Sequence, residues 1–261
     1  MSYHWHRGRR GPSGSGAGLI VEIRMDEHKP VGQGARPKTT SVVLVHEFPI
    51  FLEALGVVIS RERDLAFVGS ATTVDDAVEL VQEHGPDVAV IDGDLPGSGD
   101  GSNGIETTRR IKAARPEVRI LILAAQMSLD SMARAASVGA CGFLSKASHV
   151  DVICEAVRTA KDGGMFVEAE LIRPLVKRLQ ASARPQIEGG SGRAAMTKRE
   201  LEVLTLLGEG LDVTSIARRL KITVNTCRGH VRRILEKLGT HSQLEAVVEA
   251  VHQGLLPHLS R

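Results

Sequence analysis

Arg228, His230, Arg232 and Arg233 stand close together near the C-terminus, at spacings that put several cationic side chains on one face of any helix that carries them. Guanidinium forks pair with phosphates and with the edge of guanine, and a small residue such as Gly229 lets a helix approach a duplex closely. No carboxylate occurs between Val224 and Leu235, so the face formed by Asn225, Thr226, Arg228, Gly229, Arg232 and Arg233 is basic as far as Glu236. The ligand such a face suits is double-stranded DNA; the plainer alternative is a solvated charged surface.

The elements that must position this face run from Met196 to Leu256 as four apolar-periodic segments. Thr197 with Glu200 three residues on forms a capping box, opening a helix whose apolar face is Leu201, Val203, Leu204 and Leu207 and which ends at Gly208 and Gly210. A second helix spans Asp212 to Leu220, capped by Asp212 and burying Val213, Ile216, Ala217 and Leu220. A short turn, Lys221 to Thr223, leads to a third, capped by Thr223, with Val224, Cys227, Val231, Leu235 and Leu238 turned inward. The last helix, Ser242 to Gly254, carries the stripe Leu244, Val247, Val248 and Val251. A short turn between two such helices is the layout of a helix-turn-helix.

A second group with possible chemistry is delivered by the ends of strands. Between Ser41 and Gly163 the runs SVVLVHE, AFVGSA, DVAVID, RILILAA and GFLSK alternate with helical segments near 50–62, 74–84, 104–114, 129–138 and 149–162. Apolar strands alternating with helices predict an α/β doubly wound five-stranded parallel sheet. Sites in such sheets lie beyond the C-terminal strand ends. Those ends carry His46 and Glu47, Asp92, Ala124 and Ala125, and Lys146. Asp92 and Lys146 can form a plain ion pair, and His46 can titrate near neutral pH or bind a soft metal.

Residues 196–261 resemble the LuxR-type helix-turn-helix domain of NarL/FixJ response regulators, through Thr197, Arg199, Glu200, Glu202, Val203, Leu204, Leu207, Gly210, Ile216, Ala217, Leu220, Ile222, Thr226, His230, Val231, Leu235, Lys237, Leu238 and Gly239. Lys198, Lys221, Cys227 and Gly229 depart from the family pattern. The resemblance implies base contacts from Arg228 and Arg232, close backbone approach at Gly229, phosphate contacts from Thr226, His230 and Arg233, and a homodimer through Leu244, Val247, Val248 and Val251.

Residues 41–163 resemble the flavodoxin-like receiver domain of the same regulators, most clearly through the PDVAVIDGDLPG block. The resemblance makes Asp92 the candidate phosphoacceptor and Lys146 its neutralising cation, and puts Phe143 at the aromatic switch position. In the family two acids hold Mg²⁺ with the aspartate, and a hydroxyl ends the fourth strand. Here those positions are His46, Glu47 and Ala124. Imidazole suits Mg²⁺ poorly, so any metal site reduces to Glu47 and Asp92 and is weak. Ala124 donates no hydrogen bond, and one such bond to a charged group is worth about 1.5–3 kcal/mol. The expectation is an atypical receiver that ordinary phosphorylation does not control. A conventional regulator phosphorylated on Asp92 by a histidine kinase, or a metabolite-sensing one using the altered pocket, stays open. The Gly-rich loop Pro96–Gly104 brings Asp94 and Asp100 near that pocket, as a remodelled mouth or as a tolerated surface insertion.

Length and composition suit two domains. The chain has 261 residues, 42% hydrophobic, with net charge +2, so affinity for a polyanion must be local. No apolar run reaches the ~18 residues needed to cross a membrane. Cys141, Cys154 and Cys227 show no paired spacing, which argues against a zinc site or disulfide framework and for a reducing cytoplasm. Residues 1–40 are expected to be a disordered tail, with Met25 a candidate start; only the run at 19–23 is apolar. Residues 164–195 are expected to be a linker containing one helical segment, Glu168 to Ala181. No Gly-rich phosphate loop or nucleophile–base pair suggests an enzyme.

Overall fold

The protein is described by a computed structural model over residues 6–7, 21–22, 39–95, 103–182 and 196–256. Its sheet contains β1 (His6–Arg7), β2 (Val21–Glu22), β3 (Thr40–Val45), β4 (Leu65–Ala71), β5 (Val88–Asp92), β6 (Arg119–Ala124) and β7 (Ala140–Ser145), in the order β1-β2-β4-β3-β5-β6-β7. The five longer strands form the doubly wound parallel sheet expected from the apolar runs. The two short ones correct the reading of the N-terminal segment as wholly without elements. Val21–Glu22 falls in its one apolar, β-branched run and pairs antiparallel with β4 at the sheet edge.

The helices of this part are α1 (Pro49–Arg61), α2 (Val74–His84), α3 (Asn103–Ala114), α4 (Leu129–Ser137) and α5 (Val150–Lys161). Their starts follow local chemistry. Pro49 opens α1, the Thr73 hydroxyl accepts from the Asp76 N–H, and the Ser128 hydroxyl accepts from the Ser131 N–H. Gly85, at φ 54°, ends α2 in a conformation that suits glycine. All five residues of β5 are buried, as expected of a strand covered on both faces.

The C-terminal helices are α6 (Ala169–Ser182), α7 (Lys198–Gly208), α8 (Val213–Arg219), α9 (Val224–Leu238) and α10 (Gln243–His252). The chain forms two compact units, one of Met1–Ala125 with Leu144–Lys161, the other of Gln126–Phe143 with Asp162–Arg261. The second unit therefore contains α4 and α6 beside the four helices of the expected helix-turn-helix. One apolar core runs through Met132 and Ala136 of α4, Ile172, Leu175, Val176 and Leu179 of α6, and Val203, Leu207, Ile216, Val231, Ile234 and Val247 of α7–α10. Composition suggests a linker for α6, but its i, i+3, i+4, i+7 apolar spacing makes it a core helix.

Candidate functional site

The α9 face is built from its caps outward. Asp212 Oδ1 accepts from the Ser215 N–H at 2.7 Å to start α8, and the Thr223 hydroxyl accepts from the Thr226 N–H at 3.1 Å to start α9. Between them Lys221 takes the left-handed conformation, φ 54°, that turns the chain from one helix into the other. Arg199 of α7 donates to the Leu220 carbonyl at 2.7 Å and so ties the end of α8 to α7. Cys227, Val231 and Ile234 are buried, which turns Asn225, Thr226, Arg228, Arg232 and Arg233 outward into water. A Cβ on Gly229 would meet nothing within 4 Å. His230 sits lower on the same helix, half-buried, with a buried Nδ1 that has no hydrogen-bond partner.

Sequence reasoning missed three partners of this face. Lys237 Nζ lies 2.6 Å from Glu200 Oε2, binding the last turn of α9 to the first turn of α7. Arg199 is the second. Arg232 Nε donates to Glu236 Oε1 at 3.0 Å, a pair that the i, i+4 spacing makes legible. Ile234 is buried where Leu235 and Leu238 are only partly so, a one-position rotation of the expected inward stripe.

Leu244, Val247, Val248 and Val251 are all buried within the single chain, at 0%, 0%, 5% and 6% exposure. α10 packs against α7 and α9 and also against α4 and α6. In this arrangement the stripe is core and not a free face, because α4 and α6 cover it together with α7 and α9.

The strand-end pocket follows from register. β3 and β5 are parallel neighbours with Val45 opposite Ile91, so the next residues, His46 and Asp92, face each other at the C-terminal end of the sheet. The side chain of Asp92 is completely buried. Asp92 Oδ1 lies 2.7 Å from Lys146 Nζ and accepts from the Asp94 N–H at 2.8 Å. Asp92 Oδ2 lies 3.1 Å from His46 Nε2, but the two are not aligned as a hydrogen bond, so this oxygen has none. His46 Nδ1 accepts from the Phe48 N–H at 3.1 Å, which leaves the ring proton on Nε2, and the ring stacks on Phe51 with centroids 4.2 Å apart. Burial lowers the pKa of His46 below 6.5 against the opposing charge of Asp92. For Lys146 burial also lowers the pKa, but the hydrogen bonds and charges of Asp92 and Asp94 outweigh it and hold the ammonium above 10.5. Gly104 lets the first turn of α3 lie on this strand end, since a Cβ there would come within 2.7 Å of the Asp92 carbonyl oxygen.

Ala124 is 5% exposed and offers the pocket only its backbone carbonyl, which accepts from the Lys146 N–H at 2.9 Å. Glu47 is half-buried, one residue beyond His46. Phe143 belongs to the second unit, where it packs on the helical core and donates its N–H to the Phe166 carbonyl at 2.8 Å. Asp100 and the loop at 96–102 lie outside the described residues. The donor set does not fit Mg²⁺. One carboxylate oxygen already holds an ammonium, the other faces an imidazole, and among the described residues no three acidic, histidine or cysteine side chains converge on a point.

Residues 42–158 match the model of the response regulator receiver domain, and residues 194–250 that of bacterial regulatory proteins of the luxR family. The chain is 33% identical over 216 residues to the transcriptional activator protein ExaE of Pseudomonas putida, covering 82% of this chain and 97% of that one. It is 30% identical over 221 residues to the probable transcriptional regulatory protein NarL of Mycobacterium tuberculosis, covering 85% and 98%. A crystal structure of the response regulator ChrA, from a heme-sensing two-component system, is 26% identical and covers 84% of this chain and all of that one, with a TM-score of 0.42. The chain thus belongs to the response regulators of the NarL type, DNA-binding transcriptional regulators that join a receiver domain to a LuxR-type helix-turn-helix.

Proposed function

We propose that the protein recognises a specific duplex by laying α9 in the major groove, with Arg228 and Arg232 on base edges, Gly229 at the point of closest approach, and Thr226, His230 and Arg233 on phosphates. The observation that carries this is the two-sided character of α9, with Cys227, Val231 and Ile234 sealed in the core and three arginines exposed opposite. Arg228→Ala or Arg232→Ala should abolish sequence-specific binding in a gel-shift assay and leave the circular dichroism spectrum intact. Wild-type affinity in either variant contradicts the assignment.

The receiver half works without ordinary phosphorylation. Asp92 is already neutralised by Lys146, faces His46 where the family has an acid, and has no hydroxyl from Ala124 to hold a phosphoryl oxygen. Acetyl phosphate should fail to label the protein, and Asp92→Asn should change DNA affinity little. Stoichiometric labelling at Asp92 with a matching gain in binding overturns this reading and restores a histidine kinase as partner.

DNA binding as a homodimer on two half-sites is the assembly the family resemblance favours. Pairing through α10 then requires α4 and α6 to leave it, because they share its core. No helix among the described residues is long and apolar enough to cross a membrane, and a cytoplasmic place of action fits three buried cysteines that form no disulfide.

A further inference from the structure

Arg232 is 83% exposed, yet its Nε is engaged by Glu236, itself 61% exposed, at 3.0 Å. Among the described residues Arg228 and Arg233 have no such carboxylate. An arginine held through Nε keeps both terminal amino groups free and parallel, the edge that matches O6 and N7 of guanine. One turn earlier Gly229 offers no side chain to crowd that edge, and a Cβ there would meet nothing within 4 Å. Without a partner, a long and flexible arginine on a basic helix is drawn to the nearest phosphate, which adds affinity and no discrimination.

Resting on the proposed DNA-reading role of α9, we infer that Glu236 is a positioning residue for specificity. It holds Arg232 for a guanine edge and away from the phosphates, and its own charge repels the DNA backbone. The two effects oppose each other in a way a simple helix-stabilising pair does not. Glu236→Ala raises affinity for unrelated duplexes, because a negative charge leaves the DNA face, while the preference for the cognate guanine over adenine at the Arg232 position falls roughly tenfold. Glu236→Gln keeps an acceptor for Nε and retains most of the preference. The thermal midpoint moves little in either variant, as expected for an exposed i, i+4 pair.

The test uses the full chain and a duplex selected from a random pool by the wild-type protein, with a guanine-to-adenine series along each half-site, read by fluorescence anisotropy. Loss of discrimination at one guanine in Glu236→Ala, with rescue in Glu236→Gln and firmer non-specific binding, supports the inference. Specific and non-specific affinities that move together in Glu236→Ala, or do not move, overturn it and leave the role of α9 standing. Failure of the wild-type chain to select any sequence removes that role and this inference with it.

Discussion

Removing the carboxylate of Glu200 should destabilise the C-terminal helical unit far more than an exposed substitution would. Glu200 is 2% exposed, accepts from the Thr197 N–H at 2.8 Å, and binds Lys237 Nζ at 2.6 Å, so one side chain caps α7 and anchors the end of α9. Burial alone would raise its pKa; the Lys237 ammonium and the Thr197 donors reverse that and lower it from 4.5 to about 2. A carboxylate with its folded value below its unfolded one stabilises the fold above pH 4.5, and that contribution disappears as pH falls towards 2. At about 1.4 kcal/mol per pH unit the full difference amounts to about 3 kcal/mol. Lys237 keeps 22% of its side-chain surface in water. Screening there brings the expected loss in Glu200→Ala to about 2–3 kcal/mol at pH 7. Urea unfolding followed by far-ultraviolet circular dichroism measures it, and less than half the difference should remain at pH 3. A variant as stable as wild type at pH 7, or a difference that does not change with pH, contradicts this role of Glu200.

Other consequences follow from the same geometry. His46 is held neutral by burial, so the unfolded chain takes up its proton first as pH drops through about 6.5. Stability then falls from there down to the folded-state value and is flat below it; urea unfolding between pH 7.5 and 5.5 should show that slope, and His46→Asn should flatten it. Gly229→Ala should raise thermal stability, since glycine inside a helix costs about 1 kcal/mol relative to alanine and the added methyl has open space, yet weaken specific DNA binding; equal or tighter binding contradicts close approach at that point. Arg178 of α6 pairs with Asp130 of α4, so Arg178→Glu should set two acids against each other, loosen the cover on α10 and raise the dimer fraction in sedimentation equilibrium. An unchanged monomer at every concentration contradicts that cover.

Much of the architecture is legible in the chain because local and global signals agree. The Thr197, Asp212 and Thr223 caps and the strand run VAVID each admit one element type, and the structure places helices and a buried strand there. The strand-end rule likewise brings His46, Asp92 and Lys146 together. What pattern reading does not reach are contacts set by tertiary packing. Nothing local says that the α6 stripe finds α4 and α10, or that the α10 stripe spends itself inside the chain. The Glu200–Lys237 pair joins residues 37 apart and has no periodic signature. The Arg232–Glu236 pair has one, and it is visible once the carboxylate at the end of the basic face is read as a partner and not as its boundary.

Sequence reading by α9 is tested by selection of bound duplexes from a random pool by the full chain at physiological salt. Enrichment of one motif, lost in Arg232→Ala, is the expected result. Equal, weak attraction to every duplex, erased by added salt, contradicts it.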